Sequence, residues 1–271
     1  QHTEKQRQKL LDQELNLLDL EIAYYTINNI TDWNKVMAYT DTRVRSIENT
    51  GDRKRTAEFL FQVAGISLDG KKDSAMFRAT MQKSLAIFND LKDSARIVDG
   101  YNFLFSFYRS AGNFTEAFEY IQSAISISRK LNYSKGVARS LAMQADLYRD
   151  YGEYNQALEN YQAALDILDK TKDTSELFNV LAAVGGFYRT QHNTGKALEY
   201  YNKVIEICAS YRNPDHNAGS AYKWIGMIYS DNNDYSKALL NFEKSLHLFD
   251  SSGNIYESAR VLNEIGSLYN K

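Results

Sequence analysis

The sequence predicts an all-α protein built from repeated helix pairs, and three observations carry that expectation. The 271 residues include one proline and fourteen glycines, with few Val-Thr-Ile alternations, which favours helices over a many-turned β fold. The chain aligns with itself at an offset of forty residues. Within the aligned segments apolar residues recur at i, i+4 and i+7, the spacing of one helical face.

Taken from the N-terminus, residues from about 10 to 48 ("LLDQELNLLDLEIAYY", "DWNKVMAYTDTRVRSIE") read as a helix pair with traces of the repeat, so residues 1–50 are expected to form a cap. The array then occupies 51–271, with hairpins over about 54–92, 94–132, 135–171, 174–211 and 215–250 and a single helix over 255–270. In the first hairpin Ser84, Leu85, Ile87 and Leu91 match Ala124, Ile125, Ile127 and Leu131 one repeat later. Phe77 takes the place of a small alanine there, so this hairpin is expected to be more open.

Tyr108, Tyr148, Tyr188 and Tyr229 form one column, and Ala117, Ala157, Ala197 and Ala238 stand nine residues further on. Ile121, Tyr161, Tyr201 and Phe242 follow four residues after those alanines. Gly185, Gly226 and Gly266 precede their tyrosines by three residues, as Ala145 does, which implies a close approach of two helices. Phe105 stands in that same column and argues against tight packing in its own repeat. Leu141, Ala145 and Tyr148 give one stripe and Ala157, Tyr161 and Ala164 another, so the two helices of a hairpin face each other. Gly112 and Gly152 suit the turns, and Asn113, Asn193 and Asp234 suit the N-caps of the second helices. One hairpin cannot bury its outer faces, so neighbours must stack into a solenoid. Leu262, Ile265, Gly266 and Tyr269 repeat a first helix and the sequence then stops. An exposed stripe, continuation of the natural chain, and a homodimer through this C-terminal helix are the resulting expectations, with a last helix that acts as an end cap as the alternative. The polar opening "QHTEKQRQK" without Met reads as the trace of a removed leader.

These columns resemble the tetratricopeptide repeat, best in Leu141, Ala145, Tyr148, Gly152, Tyr154, Ala157, Tyr161 and Ala164. The period is 40, becoming 41 around Pro214, against the family's commonest 34, so the helices are expected to be longer. The resemblance covers about 55–270 and implies a right-handed α-solenoid that binds peptides, protein termini or protein surfaces without catalysis. "ALEYYNKVIEI" and "KALLNFEKSLHLF" are similar to the N-terminal sensory regions of bacterial signalling proteins. That likeness implies an extracytoplasmic or periplasmic sensor. A cytoplasmic Rap-like regulator answering to a signalling peptide, and a structural scaffold of an envelope assembly, are the alternatives.

The chemistry-bearing residues argue in the same direction. Lys and Arg number 32 against 34 Asp and Glu, so no basic excess marks a nucleic-acid partner. No run of about 18 apolar residues is present, so the segment is not expected to insert in a membrane. His2, His192, His216 and His247 are scattered without metal-ligand spacing, there is no phosphate loop, and the single Cys208 sits at a packing position. No cofactor, metal or catalytic residue is therefore expected.

In the resembled family the first helices line the concave groove. Carried over, this implies binding positions at Asn102, Phe103, Ser106 and Arg109, then Arg139, Ala142, Met143, Asp146 and Arg149. The next repeats contribute Asn179, Ala182, Gly186 and Arg189, then Lys223, Trp224 and Met227. Arg109, Arg149 and Arg189 would make a ladder suited to carboxylates of a protein or peptide partner. Local roles also account for the same arginines, and are the reading the sequence favours: an Arg in a last helical turn can bond free carbonyls, worth about 0.3–1 kcal/mol, or pair nearby, as Arg149 with Glu153.

Overall fold

The structure is a computed structural model that describes residues 33–69, 74–171, 174–209 and 215–270. The described residues hold twelve α-helices and no strand. The expected helix within residues 10–32 and the insertion around Pro214 lie outside them. In order the helices are α1 (Trp33–Glu48), α2 (Arg53–Asp69), α3 (Ser74–Asp90), α4 (Ser94–Ser110), α5 (Phe114–Lys130) and α6 (Ser134–Asp150). There follow α7 (Tyr154–Thr171), α8 (Thr174–Thr190), α9 (Thr194–Ala209), α10 (Asp215–Asp231), α11 (Tyr235–Ser251) and α12 (Ile255–Tyr269). They form two compact units, one up to Tyr133 and one from Ser134.

In the first unit the residues that break the small-residue columns are accommodated. Phe77 is fully buried, with Ala57 and Ala64 in the same cluster, and stacks on Phe107 at 4.4 Å. The expectation of an open hairpin is therefore corrected: the facing helix supplies small residues where the second supplies a ring. Phe105 is also fully buried, and the position sixteen residues on holds Ile121 rather than an aromatic ring. The bulk has moved from the second helix of the crossing to the first, and the larger residue is still fully buried.

In the second unit, three antiparallel hairpins (α6–α7, α8–α9, α10–α11) and α12 stack on one another, each meeting its neighbours in sequence. Ala157, Ala197 and Ala238 have no exposed surface. Gly185 and Gly226 lie under aromatic rings of the paired helix: an added Cβ would come within 2.9 Å of Tyr201 and 2.6 Å of Phe242. Gly266 has nothing within 4 Å, and Leu262 and Tyr269 beside it are exposed. Ion pairs tie the N-terminal halves of successive first helices. Arg139 donates from Nε and Nη2 to Glu176 Oε2 at 3.0 and 2.7 Å, and Lys223 Nζ donates to Glu257 at 2.5 Å. Burial works against the Glu257 carboxylate, but the Lys223 and Arg260 charges outweigh it and hold its pKa below the usual range.

The Tyr-Arg pairs have a backbone role at the turns. The Tyr108, Tyr148, Tyr188 and Tyr229 carbonyls accept from the N–H of Asn113, Glu153, Asn193 and Asp234 at 2.8–2.9 Å. The carbonyls one residue on, in three cases those of the arginines, accept from the left-handed residues Gly112, Gly152, His192 and Asn233. This double bond closes each helix. Asn193 and Asp234 then cap the next one, accepting from Lys196 and Lys237, whereas Asn113 stands at its N-cap without a side-chain bond.

Candidate functional site: a cleft between successive first helices

Arg149 lies on the last turn of α6, and Asp146 lies one turn earlier on the same face. The guanidinium reaches Asp146 Oδ1 at 2.8 Å and Asp150 Oδ1 at 3.1 Å, so its partners come from its own helix rather than from Glu153. From α7 the buried Tyr161 donates its hydroxyl to the same Asp146 Oδ1 at 2.6 Å. One carboxylate thus serves a phenol and a guanidinium at once.

Forty residues on, the phenol and the guanidinium recur as Tyr201 and Arg189, but the carboxylate is replaced by Gly186. The Tyr201 side chain is 1% exposed, and its Oη stands 3.6 Å from the point a Gly186 Cβ would occupy. Among the described residues nothing hydrogen-bonds this hydroxyl. Burial pushes its pKa up to about 12, against the opposing pull of the Arg189 and Arg149 charges. Arg189 turns instead toward α10: Nη1 donates to Asp231 at 3.1 Å, and the guanidinium lies 5.2 Å over the Trp224 ring. Trp224 in turn runs nearly parallel to the Tyr201 ring, 6.4 Å away at 11°.

The result is a cleft of about 490 Å³ between α6, α8 and α10. Asp146, Arg149 and Asp150 form one wall, Ala182, Ala183 and Gly186 the floor, and Arg189 and Trp224 the other wall. A second cavity of about 570 Å³ adjoins at Arg189 and Thr190, and runs toward the turns at His192 and Asn233. Among the described residues no cluster of His, Cys, Asp and Glu is placed to hold a metal ion, and no helix is long and apolar enough to cross a membrane. Cys208 is buried against Ala218, and desolvation raises the pKa of its thiol.

The tetratricopeptide repeat family profile matches residues 99–170 and 176–251, more than half of the chain. The chain is a tetratricopeptide repeat protein. This fold is a protein-interaction scaffold, whose stacked repeats present extended binding surfaces. No sequence among curated proteins matches significantly. Solved structures that share the fold include BtubC from P. vanneervenii, at 16% identity and TM-score 0.58 over 88% of this chain and 93% of that one. A Rap protein complexed with competence and sporulation factor aligns at 14% identity and TM-score 0.57, over 93% of this chain and 75% of that one. A STAND signal-transduction ATPase with a tetratricopeptide repeat sensor, from Pyrococcus horikoshii, aligns at 17% identity and TM-score 0.54, over 96% and 41%.

Of the residues that the repeat pattern placed in a groove, Asp146, Arg149, Ala182, Gly186, Arg189 and Trp224 meet at this cleft in the tetratricopeptide array. Met143 does not line it, and Asn179 donates to Glu176 Oε1 at 3.2 Å. Lys223 is 5% exposed and committed to Glu257, so its charge joins helices. Asn102, Phe103 and Arg109 belong to the other unit. There Asn102 is buried, and Phe103 meets the Phe61 ring edge-on at 5.0 Å. Tyr201 is the residue that sequence reasoning missed as a site group, because it was read only as a core column. The signal was the swap of Asp146 for Gly186 beneath an unchanged tyrosine.

Proposed function

We propose that the first-helix face of the unit from Ser134 onward binds a peptide or an extended protein segment, and that the chain is the ligand-sensing part of a larger bacterial signalling protein. The observation that carries this reading is the cleft. Its wall presents the partly buried Trp224, an aromatic anchor of the kind that dominates peptide interfaces, beside the charged Arg189. The glycine at its floor leaves room for a ligand chain to approach the backbone of α8. Peptide as the ligand class is supported by the Rap protein that shares the fold and holds competence and sporulation factor, and sensing by the STAND protein that carries such an array as its sensor. A Rap-like peptide-responsive regulator is the nearest alternative assignment for the same surface.

The test is a random-peptide display screen against the whole chain, with selected peptides re-measured on Trp224→Ala. Peptides should be recovered and should lose at least tenfold in affinity in the variant, while its melting curve stays close to that of the parent. Recovery of no peptide, or peptides indifferent to Trp224→Ala, refutes the assignment.

A further inference from the structure

The two neighbouring hairpins repeat one three-residue arrangement, a tyrosine, an arginine and the residue between them, and it is altered at one of its three positions. In α6–α7, Asp146 accepts the Tyr161 hydroxyl at 2.6 Å and the Arg149 guanidinium at 2.8 Å. In α8–α9, Tyr201 and Arg189 occupy the equivalent positions and Gly186 supplies no acceptor. The Tyr201 ring is buried like that of Tyr161, but its hydroxyl has no hydrogen-bond partner among the described residues and lines the cleft. A hydroxyl that opens onto a cleft from an otherwise buried ring is fixed in place and free to donate, and an anionic acceptor makes the strongest such bond.

Resting on the reading of this cleft as a peptide site, we propose that it seats a carboxylate of the bound peptide. That carboxylate accepts from Tyr201 Oη and pairs with Arg189, in the place Asp146 fills one repeat earlier. Asp146 and Asp150 share Arg149, which cancels one of their two charges; the other works against an incoming carboxylate, and Arg189 with the Tyr201 hydroxyl must outweigh it. Arg189 uses only Nη1, for the well-exposed Asp231, so Nε and Nη2 remain to meet a second acceptor. Trp224, under the same guanidinium and parallel to Tyr201, gives the group bearing the carboxylate an apolar wall.

Acetate is the probe, and the Trp224 indole N–H signal in the NMR spectrum of the whole chain is the reporter. Trp33 is the only other indole, so Trp224→Phe assigns the peak. Acetate should shift the peak saturably, and neither acetamide nor chloride at equal ionic strength should do so. Tyr201→Phe should weaken acetate about tenfold or more, the scale of a hydrogen bond to a charged group. Gly186→Asp should abolish the response by supplying the carboxylate from the chain itself. Gly186→Ala should keep it, since the added methyl meets nothing closer than 3.6 Å.

A response that survives in Gly186→Asp, an equal response to acetamide, or no saturable shift in the parent protein overturns the proposal. If Gly186→Asp fails to fold, Tyr201→Phe alone decides, with unchanged acetate binding as the refuting result. Peptides that bind the parent and Gly186→Asp equally would remove the carboxylate seat and leave the peptide reading standing. Saturable acetate binding with no peptide recovered would do the reverse.

Discussion

Replacing Gly185 and Gly186 by alanine, one at a time, should move stability in opposite directions. Both lie inside α8, where Gly to Ala gains about 0.5–1 kcal/mol from backbone entropy alone. At Gly186 the new methyl has only the Tyr201 hydroxyl at 3.6 Å, so that gain should appear undiminished. At Gly185 it lands on the Tyr201 ring, 2.9–3.1 Å from Cζ, Cε1 and Cε2. That ring is fully buried, and overpacking costs about 1–3 kcal/mol, so the net should be a loss of about 0–2.5 kcal/mol. Gly226→Ala, 2.6 Å from the Phe242 ring, should lose more. Gly266→Ala, with open space around it, should behave like Gly186→Ala. Thermal melts followed by circular dichroism resolve these changes, at about 2–4 °C per kcal/mol for a protein of this size. If Gly185→Ala and Gly186→Ala shift the midpoint in the same direction, the register of α8 against α9 is wrong.

Three further outcomes are expected. Glu257→Gln leaves the buried Lys223 without its counter-charge and should cost about 3 kcal/mol, read as loosening of α12 by hydrogen exchange; an unchanged exchange pattern refutes this role. Because the folded pKa of Glu257 is depressed, its stabilisation is fully present above the ordinary value of 4.5 and is lost as pH falls through the lowered value, so the acid limb of the melting curve should flatten in Glu257→Gln. The apolar residues exposed along α12, Leu262 and Tyr269 among them, should drive self-association in sedimentation velocity, reversed by Leu262→Glu; a monomer at every concentration refutes it.

The hairpin architecture was legible because it depends on residue size at fixed spacing, and the columns of Ala157 and Gly185 record size directly. Phe77 and Phe105 misled for the same reason. A column reports one side of a contact, and compensation by Ala57 or Ile121 lies on another helix. The left-handed turn at His192 gave no signal, since its conformation is imposed by the bond from Asn193 to the Tyr188 carbonyl rather than by a glycine. Much of the candidate site could be read from the repeat, namely the positions of Asp146, Arg149, Ala182, Gly186, Arg189 and Trp224. The rest depends on which polar atoms find partners. Lys223 meets Glu257 across 34 residues, and Asp146 meets a hydroxyl from the facing helix, relations that no single-helix pattern displays.

The cleft draws on α6, α8 and α10, one helix from each of three hairpins that otherwise meet only their neighbours. Mechanically, the interfaces of such a stack are springs in series, and its softest junction sets its compliance. A peptide lying across the three helices is a strut in parallel with two of those springs. Occupancy would then be felt as stiffness before it is felt as a change of shape. A partner attached to α11 or α12 could register the ligand through the reduced amplitude of the hairpins beneath it, without touching the cleft.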